Sequence, residues 1–263
     1  MKHLLSPEGR AALQSLAEAK ALLAFDFDGT LAPIVNQPDR ARAAIGVDRR
    51  IVQLTRLARV AVISGRSLAD LLARIPTEIP LCIGNHGAEG LADDVDTRKM
   101  HQVSRQWLEQ LRPTLANAQD VEGVVIEDKG PTLSLHFRLA RDRAGMADRL
   151  SAIARQLEPA PRVIGGKFVL NLLPPEAPTK FEALTRLVRI EQADRVLFVG
   201  DDQTDELVFA QAPDQWITVR VDYDRSSQAR FFVHQQSEIA ILLDCLLSVF
   251  ELPGSARIAA QRH

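Results

Sequence analysis

The chain has 263 residues, which at about 150 residues per domain predicts one or two domains with a core large enough to fold without disulfide or metal staples. Hydrophobic residues make up 46% and charged residues 25% of the chain, proportions that exclude a disordered or fibrous protein. The 32 basic and 34 acidic residues leave a net charge of −2, which argues against a protein that binds nucleic acid.

The sequence has few features of a disulfide-bonded, exported or membrane-inserted protein. Cys82 and Cys245 are too few for a disulfide framework or a cysteine metal site, and they are typical of buried thiols in a reducing compartment. The N-terminus lacks the apolar run of a secretion signal, and the longest apolar stretch, 239–250, is interrupted by Asp244 and too short to cross a bilayer. We therefore expect a cytoplasmic protein that does not associate with membranes.

The two ends of the chain alternate helices with short apolar strands. The run 21–25 has no polar alternation, which is typical of a strand buried on both faces of a parallel sheet. Further strands are predicted at 60–63, 81–84, 195–199 and 217–221. The predicted helices are 13–20, 47–57, 68–72, 181–190, 207–211 and 237–250. This alternation predicts an α/β fold with a Rossmann-like core and a parallel sheet.

The middle of the chain follows a different pattern. Helices are predicted at 101–116 and 142–157, and strands at 121–128, 132–138, 162–164 and 168–173. Lys129-Gly130-Pro131 and Gly165-Gly166 are turn signals that join neighbouring strands into antiparallel hairpins. We therefore predict an α+β cap domain, 92–174, inserted into a core domain formed by 1–91 and 175–263.

Acidic side chains follow two of the predicted core strands. Asp26-Phe27-Asp28-Gly29-Thr30 comes directly after the strand 21–25, where two close carboxylates need a cation or a shared proton. Taken alone, this segment also fits a turn followed by a helix N-cap. Gly200-Asp201-Asp202-Gln203-Thr204-Asp205-Glu206 follows the strand 195–199 and fits a Mg²⁺ site. The helix dipole explains Asp205 and Glu206 equally well, but it explains Asp201 and Asp202 poorly.

Two further segments point to phosphate. Ser64-Gly65-Arg66 ends the strand 60–63, and a hydroxyl with free N–H groups at such a turn can hold a phosphate, although a serine N-cap is the commoner meaning. Lys180 begins a predicted helix, where a cation opposes the helix dipole.

Together, these four segments resemble the haloacid dehalogenase (HAD) superfamily of aspartate-nucleophile phosphatases. The resemblance implies that Asp26 is the nucleophile and that Asp28 is the general acid and then the base. It also implies that Ser64 and Lys180 hold the phosphoryl oxygens. The implied Mg²⁺ ligands are Asp26, Asp28 through its carbonyl, and Asp201, with support from Asp202 and Asp205. The implied phosphate-binding set is Thr30, Ser64, Gly65, Arg66 and Lys180.

Other segments are similar to the trehalose-6-phosphate phosphatase family, whose insert is a C2-type cap that closes over the sugar. They are Gly84-Asn85-His86-Gly87-Ala88-Glu89, Glu127-Asp128-Lys129, Ser134-Leu135-His136-Phe137-Arg138 and Gly166-Lys167-Phe168-Val169-Leu170-Asn171. The implied substrate-binding residues are Asn85, His86, Glu127, Lys129, His136, Arg138, Lys167 and Asn171. Each cap residue also fits the solvated face of an antiparallel sheet.

The last cap strand departs from the family pattern. Asn171 stands where the family usually has Glu, Leu173 where it has a basic residue, and Phe181 where it has Gly. An amide brings no charge to a sugar hydroxyl, and charged hydrogen bonds are the stronger ones. Substrate affinity or sugar preference is therefore expected to differ, whereas the phosphate chemistry is untouched.

The expected function is Mg²⁺-dependent hydrolysis of trehalose 6-phosphate through an aspartyl-phosphate. The alternative enzyme is a phosphatase of another glycosyl phosphate, such as glucosylglycerol, sucrose or mannosylglycerate phosphate. A third alternative is a non-catalytic sugar-phosphate sensor or synthase partner. The expected partner is a small sugar phosphate rather than nucleic acid or a membrane, and we expect a monomer.

Overall fold

The computed structural model describes residues 1–35, 37–91, 97–117, 121–166 and 168–251. The chain divides into two compact units. The core unit is Met1–Gly90 together with the chain from Thr179 onward, and the inserted unit is Leu91–Pro178. The predicted insert, 92–174, is slightly shorter than this unit at both ends.

The elements alternate much as the apolar runs predict. In the described residues, the strands are β1 (Lys2–His3), β2 (Ala21–Phe25), β3 (Arg59–Ile63), β4 (Leu81–Ile83), β5 (Val125–Asp128), β6 (Leu133–His136), β7 (Arg162–Gly166), β8 (Val169–Leu173), β9 (Arg195–Gly200), β10 (Trp216–Val221) and β11 (Phe231–Val233). The α-helices are α1 (Pro7–Gln14), α2 (Val47–Thr55), α3 (Leu68–Leu72), α4 (Thr97–Asn117), α5 (Arg143–Ala154), α6 (Lys180–Glu191), α7 (Gln203–Gln211) and α8 (Ile239–Glu251).

The core unit is built on one parallel sheet, with the strand order β1-β11-β10-β9-β2-β3-β4. β2 lies at its centre, where Phe25 pairs with Val199 of β9 on one side and with Val62 of β3 on the other. The residues that follow these three strands therefore leave the sheet side by side, at its carboxyl edge. The predicted α/β fold class is confirmed.

Helices cover both faces of the core sheet, which explains why its strands are apolar without alternation. Leu23, Phe25 and Val199 share one buried cluster with Ile51 of α2 and Leu242 of α8. On the other face, the ring of Phe198 lies 5.8 Å from that of Phe209 in α7. Among the described residues, no helix is long and apolar enough to cross a membrane.

The first helix is displaced from its predicted position. The apolar spacing predicts a helix over 13–20, but α1 ends at Gln14 and turns follow it. Ser6 is the N-cap and accepts a hydrogen bond from the Gly9 N–H, and Pro7 occupies the first turn. These two start signals outweigh the periodicity. The edge strand β1 and its neighbour β11, of two and three residues, are too short to give a periodic signal.

The inserted unit contains one antiparallel sheet with the strand order β5-β6-β8-β7. One face packs on α4 and α5, where Leu133, Leu135 and Leu172 are buried with Trp107 and Leu150. Because side chains alternate along a strand, the opposite face carries a different set of residues. These include Glu127, Ser134, His136 and Asn171, which neighbour one another through the strand register. We call this second side the polar face.

Candidate active site

The carboxyl edge of the core sheet gathers the acidic residues that the sequence places after β2 and β9. The Asp26 N–H donates to the Val199 carbonyl at 2.8 Å, which continues the ladder between β2 and β9 by one residue. Asp201 follows β9 directly. On the other side of β2, the Ser64 N–H donates to the Ile83 carbonyl at 2.9 Å. The structure therefore brings Asp26, Ser64 and Asp201 to one edge, as predicted.

Lys180 reaches into this acidic group from the first turn of α6. Its Nζ lies 2.9 Å from Asp26 Oδ2 and 2.8 Å from Asp205 Oδ1, and the residue is only 2% exposed. The helix begins at a capping box, in which Thr179 accepts from the Glu182 N–H and the Glu182 carboxylate accepts from the Thr179 N–H. This cap fixes the backbone next to the lysine.

Asp205 supports its neighbours through both of its carboxylate oxygens. Oδ1 accepts from Lys180, and Oδ2 accepts from the backbone N–H groups of Asp201 and Asp202 at 3.0 Å each. Asp202 is the N-cap of α7, and its Oδ1 accepts from the Gln203 N–H at 2.6 Å. The predicted pair of supporting carboxylates thus shapes the turn that carries Asp201.

Three carboxylates lie close enough to share one cation. Oxygen atoms of Asp26, Asp201 and Asp205 all lie within 4.8 Å of one another. Asp201 Oδ1 is buried and has no hydrogen-bond partner in the structure, which leaves a hard oxygen ligand of the kind that Mg²⁺ prefers. Gly29 has a φ of 76°, and a Cβ there would overlap the Asp201 carboxylate, so only glycine permits this close approach. The residues present fit a divalent cation.

The electrostatics of the group also favour a cation. Burial raises the pKa of Asp26 well above its usual value, and Lys180 only partly offsets this. Burial, with the charge of Asp26 next, raises the pKa of Asp201 in the same way, and burial raises the pKa of Asp202. The pKa of Lys180 is raised despite its burial, because Asp205 and Asp26 stabilise the ammonium. One ammonium therefore faces three carboxylates, and a second positive charge would balance them better.

Arg66 contacts carboxylates in this structure. Its Nε and Nη2 donate to Asp28 Oδ2 and Oδ1 at 2.6 and 2.7 Å, and its Nη1 donates to Asp70 Oδ2 at 2.7 Å. Arg74 then donates to both oxygens of Asp70 at 2.9 and 2.5 Å. The resemblance implies that Arg66 binds phosphate, and it implies no role for Asp70 or Arg74. The available signal was the spacing of four residues between 66, 70 and 74, which is typical of paired opposite charges near a helix; Asp70 lies in α3, and Arg66 and Arg74 flank it.

The remaining predicted phosphate and substrate residues of the core unit lie around this edge. Thr30 is fully buried, and its Oγ1 has no hydrogen-bond partner in the structure. Gly65 lies against the ring of His86, which a side chain at position 65 would overlap. Asn85 donates from Nδ2 to Glu89 Oε2 at 2.8 Å, and the same oxygen accepts from the Leu68 N–H at 2.7 Å. Glu89 is a supporting residue to which the sequence analysis gave no role.

The polar face of the inserted unit carries three of the predicted sugar-binding residues, Glu127, His136 and Asn171. His136 Nε2 lies 2.7 Å from Glu127 Oε2, and Lys129 Nζ lies 3.8 Å from the same oxygen. The Arg138 guanidinium lies 5.9 Å from the centre of the Phe168 ring. Lys167 is outside the described residues. Glu127, Lys129 and His136 thus form one polar group.

Asn171 is more enclosed than its predicted role in sugar binding requires. It is only 5% exposed, its Oδ1 accepts from Ser134 Oγ at 2.7 Å, and its Nδ2 donates to the Ile164 carbonyl at 3.4 Å. Ser134 was not among the predicted binding residues. Both ends of the amide are therefore used inside the sheet.

Comparison with known proteins agrees with the fold and the motifs. The Trehalose-phosphatase family model matches residues 24–237. A trehalose-phosphate phosphatase of Mycobacterium tuberculosis is 32% identical over 255 residues, which cover 89% of this chain and 65% of that protein. The chain thus spans just under two thirds of the length of the curated relatives that it matches first.

Solved structures give the same result. A trehalose-6-phosphate phosphatase related protein is 25% identical, with a TM-score of 0.68 and coverage of 87% of this chain and 97% of that one. The C-terminal domain of a trehalose-6-phosphate phosphatase of C. albicans is 22% identical, with a TM-score of 0.75 and coverage of 94% and 98%, and it shows the shared fold. With a family model that spans most of its length, this chain belongs to the trehalose-phosphatase family.

Proposed function

We propose that this protein is a Mg²⁺-dependent phosphatase that hydrolyses trehalose 6-phosphate through an aspartyl-phosphate. The observation that carries the proposal is the position of Lys180, whose ammonium bridges Asp26 and Asp205 beside the unpartnered Asp201 Oδ1. A carboxylate nucleophile and a phosphate dianion repel each other, so the reaction needs positive charge at this point.

In the first half-reaction, an oxygen of Asp26 attacks the phosphorus and the bond from phosphorus to the sugar oxygen breaks. Asp26 is oriented by the Phe27 N–H, which donates to its Oδ1 at 2.7 Å, and by Lys180 at Oδ2. Asp28 donates a proton to the departing sugar oxygen. Lys180, the Ser64 hydroxyl and the Thr30 hydroxyl are the proposed ligands of the phosphoryl oxygens.

In the second half-reaction, water attacks the phosphorus of the aspartyl-phosphate. Asp28, now ionised, accepts a proton from that water, the bond from Asp26 to phosphorus breaks, and inorganic phosphate is released. The Asp28 carboxyl group therefore ends the cycle in the protonation state in which it began. Splitting the reaction into two displacements lowers a barrier that is among the highest in biological hydrolysis.

The proposed metal ligands are Asp26, Asp201 and the Asp28 carbonyl, with Asp205 and Asp202 shaping the turn behind them. A bound Mg²⁺ supplies positive charge and fixes the orientation of the phosphate. Asp205 accepts from Lys180 and from the Asp201 N–H, and its proposed contribution is to hold these two groups in place.

The polar face of the inserted unit is the proposed sugar-binding surface. Glu127 offers a carboxylate to sugar hydroxyls, and Lys129 and His136 offer donors. Asn171 favours a second candidate, a phosphatase of another glycosyl phosphate, because its amide is neutral and is used by Ser134 and Ile164. The phosphate chemistry is the same for both candidates.

The proposal is tested by phosphate release from trehalose 6-phosphate and from the phosphates of glucosylglycerol, sucrose and mannosylglycerate, each with Mg²⁺ and with EDTA. We expect the highest kcat/KM for trehalose 6-phosphate, no turnover in EDTA, and loss of nearly all turnover in Asp26→Asn. Higher kcat/KM for another sugar phosphate would establish the second candidate. Full turnover in Asp26→Asn would rule out the aspartyl-phosphate, and a protein inactive on every compound would contradict the proposed phosphatase.

The variant Asn171→Glu tests which of the two candidate functions holds, because it changes a residue of the proposed sugar-binding surface. If a carboxylate at 171 completes a site for trehalose, this change raises kcat/KM for trehalose 6-phosphate and leaves kcat/KM for p-nitrophenyl phosphate unchanged. A change that lowers both values equally would mean that position 171 serves only the packing of the sheet.

A further inference from the structure

Arg66 fixes the orientation of the Asp28 carboxylate. Two of its nitrogens donate to the two oxygens of Asp28 at 2.6 and 2.7 Å. A pair of parallel hydrogen bonds fixes the plane of a carboxylate as well as its position. The Arg66 side chain is only 11% exposed, and its guanidinium lies 5.5 Å from the centre of the Phe27 ring. The arginine therefore has little freedom to swing away from Asp28.

Asp70 and Arg74 hold Arg66 in place from the opposite side. Asp70 Oδ2 accepts from Arg66 Nη1 at 2.7 Å, and both Asp70 oxygens accept from Arg74. Arg74 Nη1 also donates to the Asp39 carbonyl at 2.5 Å. Partial burial alone would raise the pKa of Asp70, but hydrogen bonds from Arg74 and Arg66 lower it. The four side chains form an alternating row of charges that ends at Asp28.

We propose that Arg66 and Asp70 are positioning residues that orient the Asp28 carboxyl group toward the departing sugar oxygen. This inference rests on the proposed function, in which Asp28 supplies a proton to that oxygen. A carboxyl oxygen that accepts from a guanidinium nitrogen keeps a second lone-pair position, which can carry that proton. It gives Arg66 a different role from the phosphate binding predicted from the sequence, because Nε, Nη1 and Nη2 each donate to a carboxylate oxygen.

The choice of leaving group distinguishes a positioning role from a purely structural one, because a structural defect would lower kcat/KM for every substrate alike. A sugar alkoxide is a poor leaving group and needs a proton as the bond to phosphorus breaks, whereas p-nitrophenolate leaves without one. The parameter kcat/KM reports the steps up to this bond cleavage and not the later hydrolysis of the aspartyl-phosphate. Misplacing Asp28 should therefore lower kcat/KM for sugar phosphates and spare the aryl phosphate.

The test compares Asp70→Asn with Asp70→Glu and with a matched control, Asp244→Asn. Asp244 forms an equivalent bidentate pair with Arg50, at 2.7 and 3.0 Å, on the surface between α2 and α8. For trehalose 6-phosphate, or whichever sugar phosphate the wild type prefers, we expect kcat/KM of Asp70→Asn to fall about tenfold, a part of the 10²–10⁴ that general acid catalysis contributes. For p-nitrophenyl phosphate, we expect a change below about twofold. Asp70→Glu should recover most of the loss, and Asp244→Asn should match the wild type on both substrates.

Equal losses on both substrates, or no loss on either, would overturn the inference. If Asp70→Asn fails to fold, Arg74→Gln loosens the same carboxylate from the other side and is judged by the same ratio. If the wild type hydrolyses both aryl and sugar phosphates, but the variants change kcat/KM for both by the same factor, only this inference is overturned. A wild type that hydrolyses no phosphate ester overturns the proposed function and this inference with it.

Discussion

At the scale of single residues, the site depends on the balance of charge around Lys180. Its ammonium lies within 3 Å of two buried carboxylates, and a third carboxylate lies close by. Removing one carboxylate and removing the ammonium should both abolish turnover, yet they should change stability in opposite directions. This contrast separates the role of the group in catalysis from its role in folding.

Asp26→Asn should stabilise the metal-free protein while it abolishes turnover. A carboxylate whose pKa is raised on folding binds its proton more tightly in the folded state, so its ionisation destabilises the fold as pH rises from about 4 through the raised pKa. The free energy of unfolding of the variant should therefore exceed that of the wild type in EDTA, by more at pH 8 than at pH 5. A difference that is constant with pH, or a less stable variant, would contradict this prediction.

Lys180→Met should destabilise the protein strongly. It leaves Asp26 and Asp205 buried without their cation, and breaking a buried ion pair on one side costs about 3–5 kcal/mol. Urea unfolding in EDTA gives the loss directly. Lys180→Arg, which keeps the charge, is the control, and equal losses in the two variants would mean that side-chain shape rather than charge supports the site.

At the scale of elements, the inserted sheet contains a buried polar contact across β6 and β8. Ser134 and Asn171 face each other in the register, and the Ser134 hydroxyl donates to the amide oxygen. Ser134→Ala should destabilise the protein by about 1–3 kcal/mol, because it leaves a buried amide oxygen without its donor. The double variant Ser134→Ala/Asn171→Leu should recover most of that loss, since it also removes the amide oxygen that lost its donor. Urea unfolding of both variants checks this, and a double variant no more stable than Ser134→Ala would contradict it.

The elements also show how far a sequence can be interpreted. The strands β2 and β9 and the acids that follow them were predictable, because an unbroken apolar run and the residue after it are local features. The partner of Arg66 was not predictable, because phosphate and carboxylate oxygens attract a guanidinium equally and only the turn after β2 places Asp28 beside it. The Ser134–Asn171 contact was missed because it depends on strand register, and the first helix because capping outweighed periodicity.

At the scale of the whole molecule, each compact unit has its own buried core. The cluster between the inserted sheet and its helices consists entirely of residues from 103–172. We therefore expect the isolated segment 91–178 to unfold cooperatively in urea, with a far-ultraviolet circular dichroism spectrum of mixed helix and sheet. Leu172→Ala, which removes a fully buried side chain, should lower the urea midpoint of this segment. A gradual, non-cooperative transition would mean that the inserted unit needs the core unit in order to fold.

The entry and exit of the inserted unit have a consequence for how such proteins diversify. The chain leaves the core unit after Gly90 and returns at Thr179, the N-cap immediately before Lys180. Asp26, Asp28, Ser64, Lys180 and Asp201 are therefore all encoded outside the insertion. Under the proposed function, an exchanged or lengthened segment between these points changes which alcohol the protein releases. The residues of the phosphate chemistry stay the same.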